Sequence, residues 1–300
     1  MTEIATQGEA MGFDYLTMTD HVVLPDTKVP GYPYSESGEF YEEAPIERHE
    51  QLIGMAYVAA KTSRILLVAA VLVVPHRPAV LAAKMLATLD VLSGGRLVVG
   101  IGAGWLKTEF DAVVTTPFPE RGAVTDEYID AFRLLWTEHA PRFAGRYTKF
   151  DGIVLEPKPV QRPHPPIWVG GEGPAALRRA ARIGNAWYPI GSNPRFPVGT
   201  PAQFAAYVAR VKRYATEAGR DPSALDFAYS ANWSNDQQAQ TLPDGQRRPL
   251  TGTPQQIADD IKRYEELGVR HMLVNLQGET QAQTLERMRR FADRIMPLTA

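Results

Sequence analysis

A strand-like run, Ile167-Trp168-Val169, ends in Gly170-Gly171-Glu172-Gly173-Pro174, where a helix is expected to begin. Glycines let the backbone come close to a ligand, and the free N–H groups of a helix start attract anions. A phosphate is the natural guest. A tight βα turn without a ligand is the plainer alternative, and these residues alone leave both open. No GKS or GKT follows, so the turn is not a nucleotide P-loop. A second turn, Gly100-Ile101-Gly102-Ala103-Gly104-Trp105, also follows a strand. Its G-x-G-x-G spacing is not the dinucleotide fingerprint. It either makes a tight rim turn or leaves room for a flat ring, with Trp105 as a wall. Asp20-His21 closes the first strand-like run. An imidazole there can donate a hydrogen bond or exchange a proton near neutral pH. A structural histidine is the other reading.

Other chemistries find no support. There is no H-x-H or H-E-x-x-H, and His49, His76, His139, His164 and His271 show no metal-ligand spacing, so no metal is expected. No G-x-S-x-G is present, which removes the nucleophile-elbow hydrolases. The chain has no cysteine, excluding disulfides and thiolate catalysis. Its net charge of −2 leaves no electrostatic footprint for nucleic acid or an anionic membrane. The first residues lack the basic and apolar regions of a signal peptide. The longest apolar run, Ile65 to Val74, is too short for a spanning helix of roughly 20 residues. A cytoplasmic protein is expected, acting on a small molecule without nucleic-acid or membrane partners.

The elements that position these residues alternate. Strands are expected at Phe13–Met18, Ile65–Val74, Leu97–Gly102, Ile167–Gly170, Ala186–Ile190, Leu225–Ala231 and Val269–Asn275. Several are continuously apolar, the pattern of parallel strands covered on both faces. Helices are expected at Glu47–Lys61, Ala79–Leu92, Thr125–Glu138, Ala175–Ile183, Pro201–Ala218, Pro254–Leu267 and Ala282–Met296. Thr200-Pro201 and Thr253-Pro254 are N-cap and first-turn signals, and Gly219 and Gly268 are stop signals. The repeated β-α order predicts an α/β fold with a parallel sheet, a TIM (β/α)8-type barrel in one domain over residues 1–300. Long strand-to-helix loops at Val22–Ile46, Ala103–Val124 and Asn232–Thr253 mark the face where barrel enzymes keep their chemistry. Seven strands are legible where such a barrel has eight, so the first strand is expected to be missing from this chain. Tyr32, Tyr34, Tyr41, Trp187, Tyr188 and Trp233 are explained by packing, with some free to line a pocket; Glu36, Glu39, Glu42 and Glu43 form a solvated face.

Several stretches together resemble the bacterial luciferase-like monooxygenase superfamily, in particular its branch of F420-dependent oxidoreductases. They are Gly12-Phe13-Asp14 to Thr19-Asp20-His21, Thr62-Ser63-Arg64-Ile65 to Val71-Leu72-Val73-Val74-Pro75, and Leu86-Ala87-Thr88-Leu89-Asp90 to Gly104-Trp105. Glu156-Pro157-Lys158-Pro159 to Gly170-Gly171 and Ala180-Ala181-Arg182-Ile183-Gly184-Asn185-Ala186-Trp187 complete the likeness. The resemblance implies a flavin or deazaflavin ring in the barrel mouth, with His21 facing it and helping catalysis. It implies a non-prolyl cis peptide at Ala70-Val71 backing the ring, and a cofactor phosphate on Gly170, Gly171, Glu172 and Gly173. Asp20, Gly102, Ala103 and Gly104 join the cofactor contacts, and Trp105, Asn232 and Trp233 are substrate-side candidates. Where some deazaflavin relatives carry a glutamate proton donor this chain has Trp105, which argues against sugar-phosphate dehydrogenation. Relatives commonly form homodimers. The expected activity is hydride transfer between coenzyme F420 and a small organic substrate. An FMN-dependent monooxygenase and a non-catalytic flavin-binding barrel are the alternatives.

Overall fold

A computed structural model describes residues 1–40 and 48–299. Tyr41, Glu42, Glu43 and the expected helix start at Glu47 lie outside the described residues. The chain opens with α1 (Thr2–Ala10), β1 (Tyr15–Met18), β2 (Val29–Pro30), β3 (Glu39–Phe40), α2 (Gln51–Ala59), β4 (Leu66–Val73) and α3 (Ala79–Ser93). It continues with β5 (Leu97–Gly102), α4 (Lys107–Val113), α5 (Arg121–Thr137), β6 (Phe143–Ala144), β7 (Lys149–Phe150), β8 (Ile167–Gly170) and α6 (Pro174–Ile183). The last part holds β9 (Ala186–Tyr188), α7 (Pro201–Glu217), β10 (Asp226–Ala231), α8 (Pro254–Glu266), β11 (Val269–Val274), α9 (Gln281–Arg294) and α10 (Met296–Thr299). All seven strands expected from the sequence are present, most of them trimmed at their ends. The short hairpin β2–β3 and the helix α4 lie inside stretches expected as loops, and β6–β7 lies between α5 and β8, where neither helix nor strand is expected. Among the described residues no helix is long and apolar enough to cross a membrane.

The chain divides into two compact units, one of Tyr15–Trp168 and one of Met1–Asp14 with Val169–Ala300. In the first, β1, β4 and β5 run parallel, with Met18 opposite Ala69 and Ala69 opposite Val99. Leu67, Val68, Ala69 and Leu72 of β4 are at most 1 % exposed, as a strand covered on both faces requires. The pairing of β4 with β5 slips between Ala69 and Leu72, and the Ala70-Val71 peptide inside the slip is cis. This is the bulge that the family resemblance implied. It also explains the glycines of β5. A Cβ on Gly100 would lie 2.1 Å from the Ala69 carbonyl oxygen, and one on Gly102 would lie 2.6 Å from Cγ2 of Val71. Real atoms do not approach so closely, so a bulged β4 needs glycine beside it.

In the second unit β9, β10 and β11 are parallel. Its helices α7, α8 and α9 each start with a capping box, Thr200 with Gln203, Thr253 with Gln256 and Thr280 with Gln283. In each, the threonine side chain accepts from the third helical N–H while the glutamine side chain accepts from the threonine N–H. The core stacks Trp187 on Phe204 at 5.7 Å and Tyr229 on Tyr264 at 4.5 Å. Burying an aromatic ring of this kind stabilises by roughly 1.5–3 kcal/mol relative to exposure.

Candidate active site

In the unit Tyr15–Trp168, parallel pairing brings the C-terminal ends of β1, β4 and β5 to one edge. Asp20-His21, Ala70-Val71 and Gly102 to Trp105 therefore meet there. Leu72, Val73 and Val74 are buried, as are Leu67, Val68 and Ala69, yet Ala70 and Val71 between them stay half-exposed. Gly102, Ala103, Gly104 and Trp105 are half-exposed too. The bulge thus leaves a partly open face within a largely buried strand.

Asp20 is 4 % exposed and its carboxylate is heavily engaged. Oδ2 accepts from the Val73 N–H at 2.9 Å and from Arg77 at 2.8 Å, and Oδ1 accepts from Arg77 at 2.8 Å. Arg77 also binds Glu50, which accepts from the Ile53 N–H at 2.7 Å and so caps α2. Burial works against the Arg77 charge, but its bonds to Asp20 and Glu50 outweigh that and raise its pKa. This network locks the end of β1 to the end of β4.

His21 follows, with 16 % of its side chain exposed. Its Nδ1 lies 3.0 Å from Oε2 of Glu109, whose side chain is 2 % exposed. Oε1 of Glu109 accepts from the Val22 N–H at 2.6 Å and the Val23 N–H at 3.3 Å. Burial pushes the Glu109 pKa up, but the hydrogen bond and charge of His21 and the Val22 N–H overcome it and leave it lowered. Glu109 was not singled out from the sequence. Its partner His21 lies 88 positions earlier, and Glu109 itself falls in a stretch expected as a loop, where an acid needs no partner.

Aromatic rings flank His21. Phe40 lies 5.5 Å and Trp105 6.5 Å from the imidazole. Tyr32, Phe40 and Trp105 lie 5.1 Å from one another, mutually tilted or edge-on. Tyr32 and Phe40 come from the hairpin region 29–40, so this loop packs its aromatic side against Trp105 and His21. Burial raises the Tyr32 pKa, with the Arg48 charge opposing. His76 is 8 % exposed, and burial lowers its pKa, with the Asp20 charge opposing. Its buried Nδ1 has no hydrogen-bond partner among the described residues.

The remaining sequence candidates lie in the other unit. Gly170 ends β8, Gly171 has φ +98°, and Gly173 is the N-cap of α6. Glu172 is 2 % exposed and turns inward, accepting from the Ile190 N–H and from Asn193 Nδ2, both at 2.7 Å. Desolvation pushes its pKa up to about 7 despite these bonds. Its carboxylate is therefore committed to the neighbouring loop, and the turn's backbone is what remains for an anion. Asn232 is exposed. Trp233 is held by packing: its Nε1 donates to the Pro249 oxygen at 2.8 Å, and Arg248 lies 4.1 Å over its ring.

The sequence profile of the luciferase-like monooxygenase family matches residues 1–242. An FMNH2-dependent dimethylsulfone monooxygenase of Pseudomonas fluorescens is 30% identical over 292 residues, covering 84% of this chain and 78% of that protein. A Pseudomonas putida protein of the same name is 39% identical over 143 residues, which span 47% of this chain and only 39% of that protein. Among solved structures, an F420-dependent secondary alcohol dehydrogenase superposes with a TM-score of 0.77 at 18% identity, covering 100% of this chain and 94% of that one. That likeness shows the fold, a luciferase-like α/β barrel of the TIM type.

Proposed function

Because the chain belongs to the luciferase-like monooxygenase family, we propose that it is an oxidoreductase holding a flavin-type ring beside His21. The observation that carries the reading is the open face of Ala70 and Val71, set at the same strand edge as His21 and the Gly102–Gly104 turn. A flat ring would lie against this face; the missing side chains of Gly102 and Gly104 make room for Val71 and Val73, so the turn packs close against β4. Ala70, Val71, Gly102, Ala103 and Gly104 would hold the ring by contact. Asp20 would act from behind, by tying β1 to β4. In the other unit, taken by itself, the backbone N–H groups of Gly170 to Gly173 are a proposed seat for a phosphate.

Coenzyme F420 is the reading carried forward, on the motif resemblance. It supplies a hydride carrier with carbon in place of the flavin N5. The protein's share is orientation, exclusion of water and management of a proton. Tyr32, Phe40 and Trp105 make the surroundings of His21 apolar, which strengthens electrostatic interactions there. His21 is the group that exchanges a proton with a small organic substrate. The second reading is a monooxygenase using reduced FMN, and the 30% identity to the dimethylsulfone monooxygenase favours it.

Titrating the purified protein with F420 and with FMN, each oxidised and reduced, separates the two. The proposal expects F420 to bind at least about tenfold more tightly, a difference of about 1.4 kcal/mol. Tight FMN binding without F420 binding would transfer the assignment to the monooxygenase. Binding of neither would remove both.

A further inference from the structure

Glu109 is a buried acid with two separate tasks visible in its contacts. Oε1 accepts from two consecutive backbone N–H groups, Val22 and Val23, and Oε2 meets Nδ1 of His21. An ionised carboxylate only accepts hydrogen bonds, so the proton between Oε2 and the imidazole belongs to Nδ1. The two amides belong to the residues directly after His21. They fix the rotation of the carboxylate, and the carboxylate in turn fixes the ring and the backbone that carries it. The acid itself is held on α4 between Leu106 and Phe110, which are 4 % and 1 % exposed.

We propose that Glu109 is a positioning residue that holds His21 as its Nδ1–H tautomer and thereby makes Nε2 the nitrogen offered to the substrate. Nε2 then carries a lone pair and accepts a proton, and the carboxylate stabilises the imidazolium that results. The catalytic use of that nitrogen rests on the proposed function; the tautomer itself does not.

Glu109→Gln tests the assignment. Its Oε1 still accepts from Val22 and Val23, which turns its NH2 group towards Nδ1. An NH2 group can only donate there, so the imidazole proton must move to Nε2. Long-range 1H–15N spectra of the neutral imidazoles read this directly, with the His21 signals identified by their loss in His21→Asn. The expected result is a protonated Nδ1 in the wild type and a protonated Nε2 in Glu109→Gln, with the Val22 and Val23 amide signals little moved. A wild-type His21 protonated on Nε2 overturns the proposal, and so does an unchanged tautomer in Glu109→Gln. If the variant fails to fold, the wild-type spectrum still decides. Turnover of Glu109→Gln should fall about 10²-fold with KM little changed. If the tautomer switches while His21→Asn keeps full turnover, the proposed catalytic use of His21 fails and the hold of Glu109 on the ring stands.

Discussion

Replacing His21 with alanine should reduce turnover by roughly 10²- to 10⁴-fold, the range spanned by a positioned acid–base group. The imidazole is fixed from one side by Glu109 and flanked by Phe40 and Trp105, so no mobile side chain takes its place. Coenzyme affinity should stay near the wild-type value, because the proposed ring contacts come from Ala70, Val71 and Gly102 to Gly104. Steady-state kinetics and coenzyme titration on the same preparation separate these effects. A fall confined to kcat fits a group acting in the transition state. An alanine variant with wild-type turnover would reduce His21 to a packing residue.

Replacing Asp20 with alanine should cost about 3–5 kcal/mol of stability, the usual consequence of removing one partner from a buried ion pair. Arg77, whose side chain is 10 % exposed, would keep Glu50 as its remaining carboxylate among these contacts. The Val73 N–H would also lose its acceptor. Asp20→Asn should cost less, because one oxygen can still accept from Arg77 or Val73. Chemical denaturation of the apoprotein measures both. A stable Asp20→Ala protein that has lost its coenzyme would instead make Asp20 a direct coenzyme contact.

The strands were legible because parallel strands covered on both faces leave continuous apolar runs, as Ile65 to Val74 and Leu97 to Val99 do. Helix starts were legible at Thr200-Pro201 and Thr253-Pro254 because capping is a local interaction. The hairpin around Phe40 was not, since two-residue strands leave no period to detect. The glycines at 100 and 102 left a tight rim turn and a ring contact both open, and their cause became visible only with the neighbouring strand: the Ala69 carbonyl and the Val71 side chain occupy the space a Cβ would need. Glu109 escaped for the same reason at longer range. Glu172 was assigned to the phosphate turn, but its side chain faces Ile190 and Asn193, a direction that depends on a loop about 20 residues further on.

A crystal structure of the protein with its tighter-binding coenzyme tests the central claim most directly. The ring should lie against the exposed side of Ala70 and Val71, with His21 beside it and Nε2 turned towards the substrate space. A coenzyme ring bound away from that bulge, with His21 facing only protein, would contradict the account.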